Sequence, residues 1–416
     1  MHTQLRRTVS AAAIAALGTF VAWPAGAADA PKSIRIGYAI SLSGVNAQGA
    51  ATTTLPGYDL WVKDVNDKGG IFVKEYGKRI PLEVVAKYDD TSSAETLLRL
   101  EEKLMSQDKV DFVLAPWSTG FNLAVAPIFA KYGYPELAVT ANSNDEEQLV
   151  KQFPTLFFFL NQPPHFGGAL IEVLNKFKSE GKLNNKVVLL SVGDQFGAEF
   201  AAGFGAGLKA TGYDIVLQKS YPLGAADLTN EIKEAKASGA DTFIAGSYPP
   251  DTFMLTGTAI TQGYNPKIFY TAVGTAFAEY GGNFKEKVEG VLGIGGWDPN
   301  LPGAQDYYKR QFAVTGHAPD GWASPVTANC RKFSSRRSRK PGRSTARRCS
   351  TLSSTVGRGI PSSARSISRP TSASINGAPA NGKTASSSAC PRAICPVQSR
   401  SYSPNRRGEP RRTVTA

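Results

Sequence analysis

The chain has 416 residues and a formal net charge of +13 at neutral pH, but this charge is unevenly distributed. Residues 330–416 hold 19 of the 47 Lys and Arg residues and a single acid, Glu409, whereas residues 1–329 hold 28 basic and 33 acidic side chains. The basic excess is therefore a property of the last 87 residues, and it excludes any inference of a nucleic-acid partner for the rest of the chain.

The first 27 residues have the three parts of a secretory signal peptide. Two arginines precede an apolar run over 9–23, and the small residues Ala25–Ala27 follow it. This arrangement is typical of an exported protein, and the run is too short to span a bilayer comfortably; a buried N-terminal helix is the alternative. No Cys stands directly after the run, so a lipid anchor is not expected. We predict cleavage of residues 1–27 and export of a soluble chain.

Between residues 33 and 295, short apolar segments alternate with longer helical segments. This alternation predicts parallel sheets covered by helices on both faces. Ten or so strands exceed what one doubly wound domain usually holds, so the fold class is α/β with two Rossmann-like lobes and a crevice at the carboxyl ends of the strands. In chain order, strands are predicted at 33–40, 79–88, 110–114, 136–139, 156–160, 186–192, 213–217, 241–246, 267–270 and 290–295, and helices at 55–66, 94–107, 124–132, 166–177, 198–210, 228–237 and 253–262.

Motifs of enzymes and cofactor-binding proteins find little support in the sequence. Residues 28–329 contain no Cys and only two His, and they have neither a GxSxG elbow nor an HExxH helix. Residues 377–384 match the spacing of a phosphate-binding loop, but no apolar strand precedes them and a Ser-rich stretch follows. Cys390 and Cys395 lack the second pair that a zinc site requires. We expect a protein that is not an enzyme and uses no cofactor, metal or nucleic acid.

The composition of residues 330–416 predicts a disordered segment. It contains 19 Ser among 87 residues and many Arg and Pro, so it can bury too little apolar surface to fold. One interpretation is a basic interaction arm. The other is an aberrant tail translated in a shifted reading frame: permissible codons for Cys330–Gly342, read two bases later, encode Gln-Glu-Val-Leu-Lys-Gln-Ala-Ile-Glu-Lys-Ala-Gly. That product is an amphipathic helix ending in Gly, which favours the second interpretation.

Five segments of the chain form an ordered set. They are IGYAISLSG at Ile36–Gly44, VNDKGGI at Val65–Ile71, YDD at Tyr88–Asp90, APWSTGFNLAVAPIFAKYGY at Ala115–Tyr134 and DTFIAGSYPPD at Asp241–Asp251. Together they resemble the type I periplasmic solute-binding proteins of ABC importers, in the branched-chain amino acid and amide branch. No single motif is decisive, but their order and spacing are specific, and the resemblance extends from about residue 33 to Thr327.

The resemblance implies two lobes joined by a hinge that the chain crosses three times. The N-terminal lobe would comprise residues 28–160 and 297–329, and the C-terminal lobe residues 161–296. The family continues with a helix and a final crossing, and the shifted-frame sequence above has the pattern expected of that helix. Residues 330–416 therefore depart from the family, whose C-terminal elements are missing. The resemblance also implies a periplasmic monomer that passes a small solute to permease subunits in the inner membrane.

Two loops and two rings are the candidate ligand contacts. Residues 117–119 join a strand to a helix, where hydroxyls and N–H groups suit a carboxylate, although a simple N-cap is the alternative. Residues 140–142 end the next strand and would face the same crevice. The resemblance assigns both loops to the ligand and places aromatic rings of the second lobe over it, although either ring could be ordinary core. The predicted ligand-binding residues are Trp117, Ser118, Thr119, Thr140, Ala141, Asn142, Phe196 and Tyr248.

Val273 marks a departure from the amino acid binders of this family. They place an acid at the corresponding position, where it pairs with the α-ammonium group of the ligand. A buried ammonium group without a partner is costly. Either another acid substitutes, such as Asp194 or Asp251, or the ligand is not an α-amino acid, in which case a carboxylate, an amide or an aromatic acid is expected. Two functions are compatible with these residues: the binding protein of an importer, and a sensor that reports occupancy to a membrane receptor.

Overall fold

The computed structural model describes residues 29–295, 298 and 300–329, so the predicted signal peptide, the predicted crossing at 296–297 and the tail at 330–416 lie outside the described residues. The strands are β1 Ile34–Ile40, β2 Ile71–Val73, β3 Lys78–Ile80, β4 Leu82–Asp89, β5 Phe112–Leu114, β6 Glu136–Ala138, β7 Leu156–Phe158, β8 Lys186–Val192, β9 Asp214–Tyr221, β10 Thr242–Gly246, β11 Ile268–Thr271 and β12 Leu292–Gly293. The helices are α1 Ala47–Thr53, α2 Leu55–Asn66, α3 Ala94–Ser106, α4 Thr119–Tyr132, α5 Glu146–Gln152, α6 Pro163–Ser179, α7 Gln195–Ala210, α8 Thr229–Ala237, α9 Pro249–Thr261, α10 Ala278–Phe284, α11 Ala304–Thr315 and α12 Ser324–Asn329.

Two parallel sheets organise the described residues. The first has the strand order β4-β1-β5, and the second has the order β12-β11-β10-β8-β9. The parallel pair β6-β7 follows β5 on the first-sheet side, and β2 and β3 form an antiparallel hairpin. The predicted fold class, an α/β protein with parallel sheets in two lobes, is confirmed.

Burial on both faces explains the composition of the central strands. Val187–Leu190 of β8 is fully buried, and every residue of β10 is buried as well. Strands covered by helices on both faces read as continuous apolar runs, which is why the sequence locates them well. By contrast, β9 lies at the edge of the second sheet and alternates between exposed and half-buried residues as far as Ser220, with Tyr221 buried at its end.

Local chemistry sets several helix and strand ends. Ser93 begins α3 by accepting a hydrogen bond from the N–H of Thr96, and the leucines of α3 form its buried face. The predicted strand at 79–88 is instead two strands, β3 and β4, separated by Pro81. Proline has no N–H to donate to a strand ladder, so it breaks the run. Helices α1, α5, α10, α11 and α12 were not predicted. All but α11 have six or seven residues, which are too few to show a helical period.

The segment after residue 300 attaches to the first-sheet side of the molecule. Helices α11 and α12 pack against α2, and the guanidinium of Arg310 lies 2.7 Å from a carboxylate oxygen of Asp64. The hydroxyl of Ser324 donates to the carbonyl oxygen of Thr52 at 3.2 Å. These contacts bring the loop before α12 to the cleft between the two sheets. Within the described ranges, no helix is long and apolar enough to cross a membrane.

Candidate ligand-binding site

A small cavity lies in the cleft between the two sheets. It encloses about 10 Å³, roughly the space of one water molecule, so the two sides are closed on each other. Seven of the eight predicted residues line it, and the eighth, Ala141, is fully buried in a separate apolar cluster with Ala138 and Leu156. The residues around the cavity are Trp117, Ser118, Thr119, Thr140, Asn142, Leu160, Phe196, Tyr248, Val273 and Trp322.

Ser118 holds an unusual backbone conformation at the start of α4. Its φ of 86° and ψ of 153° fall in a region that glycine normally occupies, and such strain costs on the order of 1–3 kcal/mol. The surrounding hydrogen bonds hold it there. Its Oγ accepts from the N–H of Phe121 at 3.3 Å, and its carbonyl oxygen accepts from the amide of Asn122 at 2.7 Å. Ser118 is therefore an N-cap, and it also borders the cavity, so the capping role leaves the predicted ligand contact open.

The two polar loops are bonded to each other. The N–H of Ser118 donates to the hydroxyl of Thr140 at 3.3 Å, and the N–H of Asn142 donates to the hydroxyl of Thr119 at 3.4 Å. All four side chains are at least 95% buried. Their hydroxyl and amide groups thus meet at the positive end of the α4 dipole, an arrangement that favours a negatively charged group.

Trp117 closes the first-sheet side of the cavity. Its indole N–H donates to the hydroxyl of Thr53 at 2.9 Å, and its ring centroid lies 5.0 Å from that of Tyr248 across the cleft. The indole lies directly against Gly49, where an added Cβ would come within 2.1 Å of the ring. Glycine at position 49 therefore leaves the space that the ring occupies.

Two stacked rings form the opposite wall. The centroids of Phe196 and Tyr248 are 5.0 Å apart with a 20° angle between the rings, and both rings are buried. The hydroxyl of Tyr248 donates to Asp194 at 2.8 Å, and the other oxygen of Asp194 accepts from the N–H of Gly197 at the start of α7. The rings belong to the hydrophobic core and also line the cavity, so neither interpretation excludes the other.

The two acids that were considered as substitutes for an acid at position 273 face other partners. Asp251 accepts from the hydroxyl of Tyr221 and from the N–H of Tyr248, each at 3.3 Å, and burial raises its pKa to about 6. Burial also raises the pKa of Asp194, which holds Tyr248. Val273 lines the cavity, whereas neither acid does. The lining is therefore uncharged.

Two polar groups in the lining make no hydrogen bond. They are the side-chain oxygen of Asn142, a residue that is 3% exposed, and the indole N–H of Trp322, a residue that is 5% exposed. Sequence reasoning missed Trp322 and Leu160. Trp322 follows α11 in a loop without periodicity or a recognisable motif, so no local signal marks it. Among the described residues, no cluster of three or more His, Cys, Asp and Glu could hold a metal ion.

Glu199 of α7, on the second-sheet side, accepts hydrogen bonds from the loop that follows Asn142. Its carboxylate accepts from the hydroxyl of Ser143 at 2.8 Å and from the backbone N–H and side-chain amide of Asn144, each at 2.6 Å. Glu146 lies close by, and its pKa is raised to about 7, first by burial and also by the negative charge of Glu199. One oxygen of Glu146 has no hydrogen-bond partner.

Replacing Glu146 by Gln is expected to remove part of the pH dependence of stability. The folded protein holds this proton more tightly than the unfolded chain, whose carboxyl titrates near 4.5. The proton on Glu146 therefore stabilises the folded state fully below pH 4.5. This contribution, about 2–3 kcal/mol after allowance for partial exposure, is lost as the pH rises to 7. Urea unfolding between pH 4.5 and 8 measures the difference. Glu147→Gln, on the exposed side of α5, is the control, and an equal pH slope in both variants contradicts the prediction.

Comparison with known proteins identifies the family of this chain. Residues 33–329 match the family model described as periplasmic binding protein. Leu/Ile/Val-binding protein homolog 7 of Brucella abortus (strain 2308) is 25% identical over 257 residues, which are 60% of this chain, and the chain spans 61% of that relative's length. Homolog 8 of the same strain is 24% identical over 281 residues, which are 67% of this chain and 65% of the relative.

Solved structures share the fold. The branched-chain amino acid transporter substrate-binding protein LivJ from Streptococcus pneumoniae, in complex with isoleucine, has a TM-score of 0.63 and 22% identity, with 78% of this chain and 88% of that chain covered. A solute-binding protein of an ABC transporter from R. palustris, in complex with 4-hydroxybenzoate, has a TM-score of 0.60 and 17% identity, with 72% and 80% covered. The matched family is one of binding proteins and not of enzymes, in agreement with the sequence prediction. Because the family model covers well over half of the sequence, the chain belongs to the periplasmic binding protein family.

Proposed function

We propose that this protein is the solute-binding component of an ABC importer. In this role it captures a small carboxylate, amide or amino acid-like solute between its lobes in the periplasm and delivers it to permease subunits in the inner membrane. The observation that carries the proposal is the cavity, which residues of both lobes line and into whose wall two unpartnered polar side chains are built. The solutes bound by the similar proteins, isoleucine and 4-hydroxybenzoate, are small carboxylates.

The residues that line the cavity form a polar part and an apolar part. Ser118, Thr119, Thr140 and Asn142 would hold the polar end of the solute with hydroxyl and amide groups. Trp117, Phe196 and Tyr248 would enclose its flat or apolar part, which is the arrangement of a typical small-molecule site: mostly apolar walls with few polar groups. Burial of an aromatic or aliphatic group between these rings supplies affinity, and the polar groups supply orientation.

Capture requires the cleft to open. A cavity of about 10 Å³ is too small for a solute of several heavy atoms, so the lobes or the rings must move apart to admit it. The contacts that close the cleft include the Trp117–Tyr248 ring contact and the hydrogen bonds of Glu199 to the Ser143–Asn144 loop. A bound solute would replace the direct ring contact with contacts to both walls and would thereby stabilise a closed form.

Calorimetry on the mature full-length chain tests the proposal. The panel comprises leucine, isoleucine, 4-hydroxybenzoate, 4-methylpentanoate and benzamide. We expect at least one compound to bind with 1:1 stoichiometry and to raise the melting temperature as its concentration rises, because a ligand of the folded state stabilises it by mass action. Uptake of that compound by cells should depend on the gene. Absence of binding across the panel would count against the proposal, and binding without gene-dependent uptake would exclude the importer role.

A further inference from the structure

A polar cluster outside the cavity lining joins the two sides of the cleft. Glu199, on the second-sheet side, is 8% exposed and accepts hydrogen bonds on both of its carboxylate oxygens, as an ionised carboxylate does. One oxygen accepts from the hydroxyl of Ser143 and the amide of Gln195, and the other accepts twice from Asn144. Ser143 and Asn144 follow directly on Asn142, which lines the cavity. These bonds can form only while the two sides of the cleft are close together.

A second carboxyl, that of Glu146, belongs to the same cluster. It stands at the start of α5 on the first-sheet side, and one of its oxygens is buried without a hydrogen-bond partner. Burial raises its pKa to about 7, and the negative charge of Glu199 acts in the same direction, whereas hydrogen bonds with Ser143 and Gln162 oppose the rise. Two carboxyls from opposite sides of the cleft therefore meet at one place.

The surroundings of Glu146 leave Glu199 as the charge that acts on it. The other charged side chains on α5 and on the segments beside it are exposed, namely Asp145, Glu147, Lys151 and His165. Glu147 and Lys151 are paired with each other at 3.2 Å. The strand β7, against which α5 packs, carries leucine and phenylalanine side chains. The protonation of Glu146 therefore depends on how close Glu199 lies and on how well the cluster is shielded from water.

We propose that the Glu146–Glu199 pair makes solute binding pH-dependent, because closure of the cleft brings the two carboxyls together and binding therefore takes up a proton on Glu146. The proposal rests on the proposed function and adds a regulation of the same site. In an open form, Glu146 would regain water and lose the neighbouring charge, so it would hold its proton less tightly. Proton and solute then favour the same closed form, and each strengthens the binding of the other.

The direction of the pH dependence follows from the raised pKa. The proton on Glu146 favours the closed form fully below the pKa of the open form, near the ordinary value of 4.5, and this contribution is lost as the pH rises through about 7. Solute affinity should therefore be highest in mildly acidic solution and should fall towards pH 8. Each pKa unit between the open and closed forms corresponds to a factor of ten in affinity.

Calorimetry in buffers of different ionisation enthalpy measures the protons that binding takes up. The probes are isoleucine and 4-hydroxybenzoate, whose carboxylates stay ionised between pH 5.5 and 8, titrated into the full-length chain. For the probe that binds, we expect an uptake of about half a proton or more per solute near pH 6, and a loss of affinity of about 10-fold or more between pH 5.5 and 8. This wild-type measurement needs no variant.

Glu146→Gln assigns the proton, because the amide imitates the protonated carboxyl. The variant should bind without proton uptake and should keep at pH 8 the affinity that wild type shows at pH 5.5. Glu147→Gln, one residue further on the exposed side of α5, is the matched control and should retain the wild-type pH dependence. If Glu146→Gln folds poorly, Glu199→Gln removes the opposing charge from the other side and should reduce the uptake.

Two results would overturn the inference and leave the proposed function standing. One is a wild-type affinity that is equal at pH 5.5 and 8 with no proton uptake. The other is an uptake that persists in Glu146→Gln, which would assign the proton to another acid, such as Asp194 or Asp251, whose pKa values burial also raises. Failure of both probes to bind wild type at either pH would overturn the inference together with the proposed function for these solutes.

Discussion

Replacing Ser118 and Thr119 together by Ala should lower the affinity for a carboxylate solute at least about 100-fold. The two hydroxyls border the cavity at the start of α4, where the helix dipole favours an anion. Each hydrogen bond to a charged group contributes roughly 1.5–3 kcal/mol, and 1.4 kcal/mol corresponds to a factor of ten. Titration calorimetry of wild type and double variant with the tightest carboxylate of the panel measures the change.

A matched control separates binding from capping in that experiment. Ser118 accepts from the N–H of Phe121 at 3.3 Å, so its loss also weakens the start of α4 by about 1 kcal/mol. Ser93 caps α3 through the same kind of bond at the same distance and does not line the cavity. Ser93→Ala should therefore reduce stability to a similar extent and leave affinity unchanged. A double variant that binds as well as Ser93→Ala would show that the polar loop does not hold the solute.

Solutes without an α-amino group should bind at least as well as their amino acid counterparts. The uncharged lining offers an ammonium group no carboxylate partner, because Val273 lies in the wall and Asp194 and Asp251 are bonded to other groups. Burying an unpaired ammonium costs several kcal/mol, which outweighs any contact that the group gains. Leucine compared with 4-methylpentanoate, a pair that differs only in the amino group, measures the preference by calorimetry.

Val273→Glu should reverse that preference. A carboxylate at position 273 would attract an ammonium group and repel a simple carboxylate, so the ratio of the two affinities should shift by about 10-fold or more. Val273→Gln introduces similar volume without charge and is the control. Strong selection of leucine by the wild-type chain, or an equal effect of the Glu and Gln variants, would mean that the ammonium group is recognised elsewhere in the pocket.

The shifted-frame interpretation of residues 330–416 stays a prediction. The family match ends at residue 329, beside the point where the composition changes to Arg and Ser. If the interpretation is correct, restoring the frame adds a helix that buries several large side chains, which is worth on the order of 5–10 kcal/mol. The nucleotide sequence around the Thr327 codon decides it, since a stop codon soon after Ala328 in the shifted frame would exclude such a helix.

Short-range patterns in the sequence determined the fold class. The buried run Val187–Leu190 and the helical period of α3 mark their elements without any knowledge of neighbours, because burial on both faces or on one stripe imposes the pattern directly. The residues at the carboxyl ends of the strands were instead picked out through the resemblance to the family. Seven of the eight lie around one cavity, since each sheet brings the carboxyl ends of its parallel strands to the cleft.

Tertiary packing decided what lines the cavity and what it offers a solute. Ala141 packs in the apolar cluster behind the loop, and Asp194 accepts a hydrogen bond from Tyr248. Trp322, which is 180 residues after Asn142 in the chain, also lines the cavity, and its N–H is unpaired. None of these outcomes has a local signature, because each depends on which distant side chain meets which polar group. Hydrophobic periodicity and capping involve residues that are close together in the chain, so the sequence alone reveals them. The pairing of buried donors and acceptors depends on segments that are far apart in the chain, so only the packed structure determines it.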